Sequence, residues 1–206
     1  MIGILDYRCG NLRSVQKAFE QTGHQAVFVS SAQEMTGVTH LLLPGVGAFA
    51  DGMKHLVEQG LDAVVRDWVA AGKPFLGICL GMQLLFDSSE EGAISGVPVT
   101  GLGILPGRVK AFDPSMGLKV PHMGWNQLNG LRGPLYAGVV EASHVYFVHG
   151  YYCAPSEPSI IAASCDYGTP FCASVVKNNI LAAQFHPEKS QAVGLRILDN
   201  FARLPA

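Results

Sequence analysis

The stretch Lys73-Pro74-Phe75-Leu76-Gly77-Ile78-Cys79-Leu80-Gly81-Met82, or KPFLGICLGM, passes from a β signal into a helical one. Lys73 to Ile78 is a short apolar run after a proline stop, as expected of a strand buried on both faces. Met82 to Phe86 opens a predicted helix. Between them lies Gly77-Ile78-Cys79-Leu80-Gly81, a glycine-x-nucleophile-x-glycine pattern. A sharp strand-to-helix turn forces its central residue into a strained backbone, and flanking glycines let neighbouring elements close in. The side chain then projects into a crevice beside a helix amino terminus. Free N–H groups there favour a thiolate and can hold a developing oxyanion. Cys79 reads equally as such a nucleophile or as a small buried hydrophobe, which free cysteines often are.

Outward from this turn the first half alternates. Strands are expected at Met1 to Tyr7, Gln25 to Ser30 and Thr39 to Leu43. Helices are expected at Asn11 to Gln21 and from about Met53 to Ala70, the latter with Leu56, Leu61, Val64, Val65 and Trp68 on its apolar face. This alternation predicts a parallel sheet covered on both faces, with sites at the carboxyl ends of its strands. From about Val97 to Phe185 the texture changes to short β runs and turns. Asn178-Asn179 there reads as a hairpin turn. Leu195 to Phe201 closes the chain as a helix. The fold class is therefore α/β: an open, mostly parallel sheet with helices on both faces and an antiparallel β extension in the second half. No repeat or linker divides it, so residues 1–206 are expected to form a single domain.

Composition narrows the function classes. A chain that is 49% hydrophobic and only 15% charged is neither disordered nor strongly solvating. A net charge of −2 offers no basic field for nucleic acid. No apolar run reaches the length of a membrane helix, and the start MIGILDYRCGN does not read as a signal peptide. The five cysteines Cys9, Cys79, Cys153, Cys165 and Cys172 are odd in number and form no CxxC pair. Neither a zinc ribbon nor a disulfide framework is expected, and a reducing, cytoplasmic setting fits. No metal or organic cofactor is implied.

A thiol nucleophile needs a base, and the base an orienter. AAQFHPEKS offers both. His186 follows an apolar run at an expected strand end, Pro187 turns the chain, and Glu188 lies two residues on, on the same side of an extended segment. Taken singly this is also the pattern of a surface His–Glu pair. Gly45-Val46-Gly47, after the third strand, can aim N–H groups into the same crevice, with Leu80 as second oxyanion donor. As glycines alone they equally make a plain βα turn. No G-K-[ST] follows, so this is not a phosphate loop.

PGVGAF (44–49), GICLGMQLLF (77–86) and QFHPEKS (184–190) together resemble the class I, triad-type glutamine amidotransferase family. ILDYRCGNLRSV, PHMGWNQL and YFVHGYY resemble, within it, the glutaminase subunits of imidazole glycerol phosphate synthase. The resemblance spans nearly the whole chain and implies a flavodoxin-like core. It implies that Cys79 attacks the amide carbon of L-glutamine, that His186 carries protons and that Glu188 orients His186. It places the oxyanion on the amides of Val46, Gly47 and Leu80. It places the glutamine head group on Gln83 and Glu91, with Tyr146, His149, Gly150 and Tyr151 lining the pocket. It implies a heterodimer with a (β/α)8-barrel cyclase subunit, met by Pro121, Met123, Trp125, Asn126 and Lys189. Trp125 also suits core packing, as interface anchors and core aromatics share a chemistry. Arg8 departs from the family pattern, where a small residue, usually glycine, is expected. Rival readings are a glutaminase serving another acceptor, a γ-glutamyl hydrolase or peptidase, and a flavodoxin-like binding protein with Cys79 buried.

Overall fold

The computed structural model describes residues 1–206. Its first half runs β1 (Ile2–Leu5), α1 (Leu12–Gln21), β2 (Ala26–Val29), β3 (His40–Leu43), α2 (Phe49–Glu58), α3 (Leu61–Ala70), β4 (Phe75–Ile78) and α4 (Leu80–Gln83). Then come β5 (Phe86–Ile94), β6 (Val97–Thr100), β7 (Leu105–Ala111), β8 (His122–Gln127), β9 (His144–His149) and β10 (Tyr151–Pro155). The chain ends with β11 (Ile161–Asp166), β12 (Pro170–Lys177), β13 (Ile180–Ala183) and α5 (Gln191–Ala202).

The main sheet has the order β2-β1-β3-β4-β13-β12-β10-β7-β5-β6, with β11 paired to β12. From β2 to β13 every pairing is parallel. Beyond β13 the sheet turns antiparallel through β12, β10 and β7. β8 and β9 form a separate antiparallel pair. The parallel half and its antiparallel extension are thus as expected from the texture of the sequence.

Strand side chains alternate between two apolar layers. Ile2, Ile4, Leu42, Leu76 and Ile78 pack with Phe19 of α1 and Ile197, Leu198 and Phe201 of α5. Leu5, Leu41, Leu43 and Phe75 pack with Phe49 and Leu56 of α2 and Leu61, Val65 and Trp68 of α3. Each such side chain contributes roughly 1.5–3 kcal/mol on burial, so β1, β3, β4 and β13 make a stiff frame. Their carboxyl ends carry the candidate site.

Three element expectations are corrected. The helix read as continuous from about Met53 starts at Phe49 and breaks at Gly60, whose φ of 67° ends α2 before α3 begins. Apolar periodicity continues across the break, so only the glycine marks it. The helix expected after Met82 is the single turn α4, beginning at Leu80; Phe86 already starts β5. The apolar run LLF is buried, and a short buried run has no period to separate helix from strand. The last helix begins at Gln191, a turn earlier than read. Asn178 adopts φ 55° in the β12–β13 hairpin, as its turn chemistry predicts.

Candidate active site

Cys79 lies one residue beyond β4 with φ 53° and ψ −110°. A side-chain-bearing residue in so sparsely populated a region costs about 1–3 kcal/mol and persists only when its surroundings impose it. Here its N–H donates to the Ala183 carbonyl at 2.7 Å, and its own carbonyl accepts from the N–H groups of Met82 and Gln83. The flanking glycines are sterically required. A Cβ on Gly77 would lie 2.8 Å from the Gly81 carbonyl oxygen, and one on Gly81 would overlap the carbonyl oxygen of Leu43.

β4 and β13 run parallel, with Ile78 opposite Ala183. The residues just beyond them, Cys79 and Gln184, therefore emerge side by side, and His186 follows. His186 keeps an extended backbone (φ −102°, ψ 96°), and Pro187–Lys189 then form a 3₁₀ turn. It is this turn, not a strand repeat, that brings Glu188 back to His186. His186 Nδ1 lies 2.8 Å from Glu188 Oε1, with both side chains buried. Burial alone pulls the His186 pKa down; Cys79 and the Glu188 carboxylate outweigh it and raise it to about 10. His186 Nε2, the nitrogen turned away from Glu188, is buried without a hydrogen-bond partner. Catalytic hydrogen bonds often close only once substrate arrives.

A cleft of about 360 Å³ opens over the sulfur. Val46, Gly47, Cys79, Leu80, Gln83, Glu91, His149, Gly150, Tyr151 and Lys189 line it. Gln83 Nε2 donates to the Tyr151 carbonyl and to Gln184 Oε1, both at 3.1 Å. With those hydrogens committed, Gln83 offers the pocket its oxygen. Glu91 rides on β5, and its Oε2 accepts the Phe49 N–H at 2.9 Å at the start of α2. Burial raises the Glu91 pKa, offset in part by that N–H, with Asp51 adding to the rise.

The amides expected to serve as oxyanion donors do not point toward Cys79 together. The Leu80 N–H points at the Gly45 carbonyl, 3.4 Å away. In a trans peptide C=O and N–H point in opposite directions, so the Val46 N–H faces away from Leu80. The helix amino terminus expected to help is only one turn long, too short for an appreciable macrodipole. What remains beside Cys79 is the local N–H of Leu80, occupied by this carbonyl.

Two residues stand elsewhere than expected. Tyr146 is absent from the cleft lining; its ring lies 6.1 Å from that of Trp125 and beneath the Lys189 ammonium at 5.7 Å. Asn126 turns into the protein: its Nδ2 donates to the Asp166 carbonyl at 2.8 Å and lies 3.3 Å from His122 Nε2. Strand alternation places Met123 and Trp125 on the opposite side of β8, exposed at 61% and 47%, and Pro121 is exposed as well. Arg8 is exposed at φ 66°, a conformation that explains why glycine is expected there. Sequence reasoning gave Gln184 no role. Its signal was its place two residues before His186, on the same side of an extended segment.

Among the His, Cys, Asp and Glu side chains, no group of three or more could hold a metal ion. No helix is long and apolar enough to cross a membrane.

Known proteins bear on this geometry. Residues 4–204 match the family glutamine amidotransferase class-I. The imidazole glycerol phosphate synthase subunit HisH of Rhodopirellula baltica is 47% identical, over 100% of this chain and 98% of its own. The subunit of the same name from Syntrophotalea carbinolica is 50% identical, with 98% of each chain covered. That of Geobacter sulfurreducens is 49% identical at the same coverage. The fold is shared with a glutamine amidotransferase crystal structure (TM-score 0.74, 22% identity, 98% of this chain and 99% of that one). It is shared also with PurLQS from Thermotoga maritima (TM-score 0.75, 17% identity, 97% and 96%). A cysteine elbow and a buried His–Glu pair beyond neighbouring strands, on a chain matched over residues 4–204, make this protein a member of the class I glutamine amidotransferase family.

Proposed function

We propose that the chain is the glutaminase subunit of imidazole glycerol phosphate synthase, acting as one glutamine amidotransferase domain over residues 1–206. The observation that carries the chemistry is the buried His186–Glu188 pair, which follows the strand end beside Cys79, the residue that lines the cleft. The relatives' shared identity as HisH carries the assignment within the family.

In this reading the Cys79 thiol proton passes to His186 Nε2 as Sγ attacks the side-chain amide carbon of L-glutamine. The C–N bond breaks, His186 returns that proton to the leaving nitrogen, and ammonia departs from a glutamyl thioester. Water then attacks the thioester, giving a proton to His186. The C–S bond breaks, glutamate leaves and the thiol is restored. Glu188 fixes the imidazole so that Nε2 faces the reaction and favours its protonated form. The Gln83 oxygen and the remaining Glu91 oxygen suit the α-ammonium of the substrate.

Rotation of the Gly45–Val46 peptide completes the oxyanion hole. One movement frees the Leu80 N–H and turns the Val46 N–H toward Cys79, supplying two donors where charge develops. Until then the chain is a poor glutaminase. Val46, Met123 and Trp125 are exposed apolar groups near the cleft, and Trp125 connects through Tyr146 to Lys189 at its mouth. This face suits a (β/α)8-barrel cyclase subunit as heterodimer partner. Ammonia passing through a closed interface escapes protonation and reaches a phosphoribulosyl-formimino aminoimidazole carboxamide ribotide. The products are imidazole glycerol phosphate and aminoimidazole carboxamide ribotide, in histidine biosynthesis. A cytoplasmic setting agrees with five free cysteines.

Mixing the chain with a cyclase subunit tests the proposal. Glutamine hydrolysis is expected to be slow for the isolated chain and to rise by orders of magnitude with partner and acceptor. Fast turnover indifferent to the partner would sink it.

A further inference from the structure

We infer that Gln184 is a positioning residue for the nucleophile: its side-chain amide holds the Cys79 sulfur and couples it, through Gln83, to the glutamine pocket. The inference rests on the reading of Cys79 as nucleophile.

Gln184 is wholly buried, and its Nε2 lies 3.7 Å from Cys79 Sγ. The amide orientation follows from a fixed point. The Tyr151 carbonyl can only accept, so the Gln83 group facing it is the NH2. That same nitrogen lies 3.1 Å from Gln184, so the facing atom of Gln184 is its oxygen. The other end of Gln184 is then its NH2, and it points at the sulfur. A backbone carbonyl thus determines every direction in the chain from Tyr151 to Cys79.

The frame holds this chain in place. The Gln184 N–H donates to Ala173 at 2.8 Å, and the β4–β13 register keeps Gln184 beside Cys79. A neutral thiol is a weak acceptor, whereas a thiolate makes a charge-assisted hydrogen bond. Sulfur is most anionic once its proton has moved to His186, just before the C–S bond forms, and again as it leaves the thioester. The Gln184 amide is therefore worth more during reaction than in the resting state. A group that acts this way lowers the barrier without tightening substrate binding.

Two variants in complex with the cyclase partner separate this from a packing role. Gln184→Met keeps length and burial but removes both amide functions. Gln184→Glu keeps an acceptor for Gln83 and replaces the donor at sulfur by a carboxylate oxygen. For Gln184→Glu, kcat for glutamine should fall on the order of tenfold to a hundredfold, the worth of a charge-assisted hydrogen bond, with KM little changed. Gln184→Met should lose kcat similarly and raise KM, because Gln83 loses its partner. Alkylation of Cys79 by iodoacetamide should slow in both, while partner binding stays intact. Wild-type kcat in both variants overturns the inference. So does a loss of activity that only tracks lost thermal stability or lost partner binding. Glutamine turnover surviving in Cys79→Ala overturns the nucleophile reading and this inference together. Its loss there, with wild-type kcat in the Gln184 variants, overturns this inference alone.

Discussion

Cys79 and the Gly45–Val46 peptide stand at the ends of adjacent parallel strands, β4 and β3, yet they are held very differently. Cys79 is confined by the Ala183 carbonyl, by its own hydrogen bonds into α4 and by two glycines that admit no side chain. Its strained conformation is over-determined. Val46 and Gly47 are exposed, and a Cβ added to Gly47 would meet nothing within 4 Å. The loop rests with a carbonyl where an amide is needed. One side is built into the frame; the other runs from the buried Gly45, packed against Tyr7 and Leu80, into the exposed Val46 and Gly47. In the proposed mechanism this difference keeps the Cys79 nucleophile ready while oxyanion stabilisation waits for the loop to turn.

The largest test breaks the locked side. Cys79→Ala should lower glutamine-driven synthesis by several orders of magnitude, as removal of a nucleophile does. Synthesis from added ammonium salt, followed by product formation with the cyclase present, should persist because the cyclase needs only ammonia.

The next contrasts two glycines. Gly81→Ala forces a Cβ into backbone and should cost about 3 kcal/mol or more, among the larger effects of single substitutions. Denaturant unfolding or a collapse of soluble yield would reveal it. Gly47→Ala meets no neighbour but sits at φ 114°, so it should cost roughly 1–3 kcal/mol of backbone strain. Its main effect should fall on partner-stimulated turnover, through loss of loop freedom. Equal unfolding penalties for the two would erase the contrast between the packed elbow and the open loop.

The smallest test uses pH. His149 Nδ1 donates to the Tyr151 carbonyl at 2.8 Å and its Nε2 lies 3.1 Å from His122 Nδ1, so this pair buttresses the locked side. Burial lowers His122 to about 4 and His149 to about 3, from an ordinary 6.5. A contact with the Tyr151 carbonyl opposes the His149 shift, and neighbouring His122 and His186 add to it. The unfolded chain takes up protons below pH 6.5 that the folded chain refuses, so the unfolded state gains as pH falls. The stability these residues confer is present above 6.5 and drains away as pH drops toward 4 and 3. Thermal midpoints should decline across that window, and less steeply in a His122→Phe variant.

Much of the site was legible because its requirements are local. A cysteine between spaced glycines at a strand end is a short pattern with a steric reason; the histidine and the glutamate two residues on were legible as a pair, though a 3₁₀ turn and not an extended segment joins them. The errors share a cause as well. The helix assigned through Gly60 and the one assigned through Phe86 came from apolar periodicity, which a buried run shows whether or not it is helical. Tyr146 and Asn126 lie in motifs whose resemblance is real. Strand alternation and side-chain hydrogen bonds, rather than motif membership, decide where their side chains go.

From the order of its residues alone this protein had its strand–helix alternation, its elbow and its base–orienter pair, since steric rules act between near neighbours. Folding decided which amides face Cys79, which way the Gly45 carbonyl turns and how Gln184 comes to touch a sulfur 105 residues earlier in the chain. Those outcomes depend on the parallel register of β4 with β13 and on hydrogen bonds between distant segments. Local patterns hint at most at which side a residue takes, as with Gln184 two before His186; which distant partner it meets is decided only when the sheet brings the two together.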